Sequence, residues 1–193
     1  PARYSNATVT AFAWDNYIEA YAQKAGSTFY GTGNNPYLLC PSDSVDRTNT
    51  TRNKRSYAVA GSANTGSDEA WKPEVAFDAG YTDYITEGRP LAEFVAPAST
   101  ILLAEAPLNN NWIGTNSGYR VPSPNGQTNV APNKPSHSEG WNYGFADGHA
   151  KWFKPQQTVS TPGITYPFKN ANGYTCQGTV ATPCGLWTLS DND

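Results

Sequence analysis

The chain has 193 residues, enough for one domain with a real core and too few for two full ones. Charged residues make up only 15%, the formal net charge is −3 and the pI is about 5.3. No basic run exceeds Arg52-Asn-Lys-Arg55, so nothing suggests a phosphate-tracking surface or a nucleic-acid partner.

Seventeen Gly and 15 Pro stand beside 12 Tyr and 6 Trp, the mix of a loop-rich β protein whose backbone turns often. No apolar run approaches the ~20 residues of a membrane span. The sequence contains no Met and begins Pro-Ala-Arg, so any leader or anchor is expected to lie outside this numbering.

In chain order, residues 8–24 come first. Phe12, Trp14, Tyr17, Ile18 and Tyr21 include the i, i+3, i+4 spacing of an amphipathic helix, and Gly26 is placed to stop it. Residues 1–26 are therefore read as an N-terminal helix segment and 27–193 as a β-rich globular head. Two sequons, Asn6-Ala-Thr8 and Asn49-Thr-Thr51, fit glycosylation of an exported chain. Cys40 follows Tyr37-Leu-Leu and is expected to pack as a small apolar residue.

Strand candidates follow. Residues 56–61 alternate; Glu93-Phe-Val95 leads through Pro97 to the apolar run Thr100-Ile-Leu-Leu-Ala104, which suits a central strand. Two long loops, 107–135 and 158–175, are expected to make contacts. Trp112, in Asn109-Asn-Asn-Trp-Ile, is the candidate for an exposed ligand contact, whereas Trp141, Trp152 and Trp187 are expected in the core. Trp71 belongs to the same set of aromatics that could stack on sugars.

The most telling stretch runs from Trp141 to Phe153. Asp147-Gly148 is able to supply both positive-φ residues of a type I′ turn between alternating arms, and His137 precedes it at His-x9-Asp-Gly spacing. Cys176 and Cys184 flank a turn-rich loop where a disulfide is favoured, in keeping with export. Residues 185–189 are expected to close the sheet. The predicted architecture is α+β: an N-terminal helix packed on an antiparallel sheet with long loops.

Five ordered runs carry a resemblance. They are Tyr37-Leu-Leu-Cys-Pro-Ser-Asp43, Arg55-Ser-Tyr-Ala-Val59, Pro97-Ala-Ser-Thr-Ile-Leu-Leu-Ala-Glu105, Phe145-Ala-Asp-Gly-His-Ala-Lys-Trp-Phe-Lys-Pro155 and Gly185-Leu-Trp-Thr188. Spread over about residues 37 to 189, they resemble the pseudopilin-like proteins with the prepilin-type His-x9-Asp-Gly domain, relatives of type II secretion pseudopilins and type IV pilins. The resemblance implies a pilin-like head. It also implies a structural subunit of an extracellular or envelope-anchored filament that self-associates into a helical polymer, alone or with other pseudopilins. Family members begin with a cleaved leader and a long hydrophobic anchoring helix; residues 1–26 look like its remnant or replacement. Membrane contact is expected only through such a helix, absent from this sequence.

His137, Asp147 and His149 tempt a zinc reading, because two imidazoles and a carboxylate can hold that ion. His149 stands just past a turn with no helical i, i+4 partner, so a structural role is expected: Asp147 accepting backbone N–H bonds, Gly148 supplying φ > 0 and His137 bonding to the hairpin. The loop 78–83 and the tail Ser190-Asp-Asn-Asp193 offer oxygen ligands for Ca²⁺ but lack EF-hand spacing. No other cofactor, no metal and no catalytic residue are expected. No nucleophile elbow, phosphate-cradling Gly loop or Cys-x-x-Cys occurs, and no enzyme activity is predicted. The alternative function is a secreted carbohydrate-binding module using loop aromatics.

Overall fold

A computed structural model describes residues 35–60, 77–79, 86–88, 91–113, 120–121, 124–127, 135–159 and 185–187, together with Asp15 and Ile18. Among the described residues seven strands occur in chain order: β1 Tyr57–Ala60, β2 Phe77–Ala79, β3 Thr86–Gly88, β4 Ile101–Glu105, β5 Arg120–Val121, β6 Trp141–Phe145 and β7 Ala150–Phe153. The main sheet has the order β5-β1-β4-β6-β7, and β2 and β3 form a separate antiparallel ribbon. Four of the five main strands are antiparallel; β5 runs parallel to β1.

The strands form where the residues alternate. One sheet face carries Ala58, Ala60, Ile101, Ala104, Trp141, Tyr143 and Phe145, and Leu108, Val159 and Trp187 cover it. Tyr143 packs edge-on to Trp187 at 6.0 Å between ring centroids. The opposite face carries Val59, Tyr57 and Leu103, which pack with Leu38, Ile113 and Ile18. Both covering layers are built largely of irregular backbone.

The expected α+β architecture, an N-terminal helix packed on the sheet, is overturned. Among the described residues no helix reaches seven residues, and the fold is mostly β. Asp15 and Ile18 are helical, and the rest of segment 1–26 lies outside the described residues. The helical elements of three or more described residues are 3-10 turns: Leu91–Glu93, Pro97–Ser99, Pro124–Gln127, Pro155–Thr158 and Gly185–Trp187. Three begin at proline, whose fixed φ opens a helical turn, but Gly, Pro and β-branched residues follow too closely for propagation. No helix among the described residues is long and apolar enough to cross a membrane.

Other expectations change too. Glu93–Val95 does not form a strand; it belongs to the turn that delivers Phe94 to a small cluster with Leu102 and Ala146. Residues 185–187 form a turn rather than a closing strand, because Gly185 takes φ 70° and drops Trp187 into the core. The 107–135 region is not merely a loop: it contributes β5, buried Ile113 and buried Gln127.

Candidate functional site

Three of the five resembling runs, the Cys-Pro-Ser-Asp run, the β1 run and the β4 run, meet at one end of the sheet with the His137 turn, to which Trp152 of the fourth run is bonded. A hydrogen-bond network holds them together. Asp43 pairs with Arg47 and accepts a bond from Ser56 Oγ at 2.6 Å, and Ser56 Oγ accepts the Cys40 backbone N–H at 3.0 Å. Arg47 also donates to the carbonyls of Arg55, at 2.8 Å, and Asn111, at 2.6 Å. Arg55 is fully buried and donates to Asn111 Oδ1 and to Asp15 Oδ2. Burial pulls its guanidinium below its ordinary value while the Asp15 carboxylate opposes the shift.

Beside this network, Cys40, Glu105 and His137 bring one ligand atom each within 4.8 Å of one another. His137 Nε2 lies 2.9 Å from Glu105 Oε1 and 3.2 Å from Cys40 Sγ. Glu105 is buried at the end of β4, where its Oε2 accepts the Asn142 backbone N–H at 2.6 Å. Its Oε1 accepts Asn142 Nδ2 at 3.3 Å. Burial raises the Cys40 thiol above its ordinary value; the Ser42 backbone N–H opposes this and Glu105 reinforces it. Burial, then the Glu105 charge, pushes the Tyr57 phenol up to about 12.

His137 is aimed by a strained turn. It exchanges backbone hydrogen bonds with Gly140 across Ser138 and Glu139, which have φ 48° and 72°. That is a type I′ turn built without glycine, a conformation costly to ordinary side chains. Trp152 secures it: the indole Nε1 donates to the His137 carbonyl at 2.8 Å, and the ring lies where a Gly140 side chain would stand.

The hairpin at Asp147-Gly148 is different from the type I′ turn expected. Gly148 alone takes positive φ, 95°, and its N–H bonds to the Phe145 carbonyl while the Phe145 N–H bonds to the His149 carbonyl. This is the three-residue hairpin with a glycine bulge. Asp147 Oδ1 accepts the His149 N–H at 3.1 Å and contacts His149 Nδ1 at 2.6 Å. Those contacts hold the Asp147 carboxyl below its ordinary range, the backbone bond first. His149 stacks on Phe145 at 4.3 Å, so it belongs to the hairpin tip while His137 belongs to the Cys40–Glu105 cluster.

A groove of about 320 Å³ runs along the second sheet face, lined by Tyr57, Leu103, Asn142, Gly144, Ala150 and Trp152. Gly144 and Ala150 face each other in register and leave the floor low. Trp152, expected in the core, is 39% exposed because β7 ends the sheet and its ring faces this groove. Trp112 is half-buried and bridges Lys54 by backbone pairing. Asn49 is half-buried; its Oδ1 accepts bonds from Thr51 N and Oγ1. Asp78 lies in β2. Asn6, Trp71, Cys176, Cys184, most of the 78–83 loop and the acidic tail lie outside the described residues.

The cluster's geometry argues against a nucleophilic relay. A cysteine–histidine–carboxylate relay holds the thiol and the carboxylate on opposite ring nitrogens, whereas here both face Nε2. The thiol is also buried and shifted away from thiolate. Sequence reasoning reached His137 but missed Cys40 and Glu105 as its partners. The available signal was a carboxylate ending an apolar strand, a residue that must find partners when buried. No protein-family model, no curated protein and no solved structure matches this chain.

Proposed function

We propose that the chain is a structural subunit of an extracellular or envelope-anchored filament of the pseudopilin and type IV pilin kind. It works by subunit–subunit contact rather than by catalysis. The observation that carries this reading is the convergence of the Cys-Pro-Ser-Asp, Arg-Ser-Tyr-Ala-Val, Ile-Leu-Leu-Ala-Glu and His-x9-Asp-Gly runs. They hold one buried node through Cys40, Asp43, Ser56, Glu105 and His137. Runs that resemble one family and build one node are what a shared head domain requires. Asymmetric contacts between such heads that do not close give a helical fibre. Immunogold labelling with an antibody against the chain is expected to decorate filaments on cells that produce it. Label confined to a soluble monomer pool would contradict the proposal.

The groove favours a second reading, a carbohydrate-binding module. An exposed indole beside Tyr57 and Asn142 offers a stacking face and polar partners for a pyranose. Glycan-array hits abolished by Trp152→Ala would favour it; an array without hits would remove it.

A further inference from the structure

We infer that Cys40, Glu105 and His137 form a binding site for one divalent transition-metal ion of the zinc class. The inference stands on this cluster alone and does not need the filament reading. Around zinc, bonds of about 2.0–2.3 Å place neighbouring ligand atoms about 3.3–3.7 Å apart in a tetrahedral site. Here Sγ–Nε2 is 3.2 Å, Nε2–Oε1 is 2.9 Å, and all ligand atoms lie within 4.8 Å. An ion therefore needs adjustments of the side chains only.

The surroundings are those of a held ligand set. Asn142 fixes the Glu105 carboxylate with two bonds, Ser56 fixes the Cys40 backbone, and the strained 138–139 turn with Trp152 fixes His137. A sulfur ligand beside an imidazole selects zinc, cobalt or iron over calcium and magnesium. One thiolate and one carboxylate neutralise a dication, so the loaded site carries no net charge into the interior. On binding, the thiol proton leaves to solvent as the sulfur–metal bond forms. Asp43 is engaged by Arg47 and Ser56, and no fourth acidic, Cys or His ligand joins the cluster among the described residues. The His137 side chain is 28% exposed, which leaves water as the fourth ligand on that side.

The test is titration of the full chain with Co²⁺ as an optical probe and Zn²⁺ as competitor. One equivalent is expected to bind with a thiolate-to-cobalt charge-transfer band that Zn²⁺ abolishes. Cys40→Ser removes the band, and Glu105→Gln and His137→Gln weaken binding at least about tenfold, whereas Asn142→Ala, which keeps the backbone N–H bond to Glu105 Oε2, weakens it less than either. His149→Ala leaves it unchanged. Because core variants can fail to fold, X-ray absorption on the unaltered zinc-loaded chain provides a second readout, with one sulfur expected in the first shell. A folded chain with no charge-transfer band at millimolar Co²⁺, a band that survives Cys40→Ser, or a shell of only oxygen and nitrogen would each overturn the proposal.

Discussion

Tyr143 illustrates how single buried polar groups hold this sheet. It is 1% exposed, its hydroxyl donates to Gln127 Oε1 at 2.9 Å, and Gln127 Nε2 donates to the Glu105 carbonyl at 2.7 Å. Burial raises its phenol well above the ordinary value of about 10, with Gln127 opposing. Below pH ~10 both folded and unfolded chains keep the proton, so its contribution to stability is complete there. As pH climbs towards the folded value, the unfolded chain ionises first and that contribution is lost. Tyr143→Phe is expected to cost about 1–2 kcal/mol at neutral pH, because Gln127 loses a buried donor. In urea melts the gap between Tyr143→Phe and the unaltered chain should narrow as pH rises above ~10. A gap that widens would show that the phenol is not held neutral.

At the scale of elements, two turns aim the chemistry. Gly140 faces Trp152, and an added Cβ would lie 2.3 Å from its ring. Gly140→Ala should therefore displace the indole, break its bond to the His137 carbonyl and destabilise by about 1–3 kcal/mol, the range of overpacking. Gly148 has open space around it but φ 95°, so Gly148→Ala should cost about 1–2 kcal/mol through backbone strain alone. Thermal melts with tryptophan fluorescence separate the two, since only the first should shift the emission of Trp152. Replacing Ser138-Glu139 by Asn-Gly should stabilise by up to about 1 kcal/mol, because those residues accept positive φ readily. A melting point that falls would mean the turn is not strained.

Legibility in the sequence follows the same scale. The strands at 57–60, 101–105, 141–145 and 150–153 were readable because alternation and an Asp-Gly turn are local signals. Two- and three-residue strands such as β2, β3 and β5 carry no period to read. The aromatic spacing at 8–24 suggests a helix packed on the sheet; of that segment only Asp15 and Ile18, both helical, lie within the described residues, and the described architecture is mostly β. The Cys40–Glu105–His137 cluster was invisible because its contacts span 97 and 32 residues, and no spacing rule reports them. His137 was reachable through its motif; its partners were not.

At the scale of the molecule, the sheet is sandwiched between irregular layers, with exposed apolar groups outside the two cores. Leu91 and Val95 are each 63% exposed within one short turn, while Phe94 between them is buried. Large aliphatic side chains anchored this way suit a contact between copies. Leu91→Asp together with Val95→Asp should leave the unfolding free energy within about 0.5 kcal/mol of the unaltered value, as surface changes do. Filament yield, counted by electron microscopy, should fall severalfold; unchanged yield would place the contact elsewhere. The measurement that bears most directly on the filament reading is cross-linking mass spectrometry on material from cells producing the chain, with isotopically mixed copies to separate intermolecular links. Repeated links between two different surfaces of neighbouring copies, with a ladder of open oligomers, are the predicted result; links found only within single copies would contradict it.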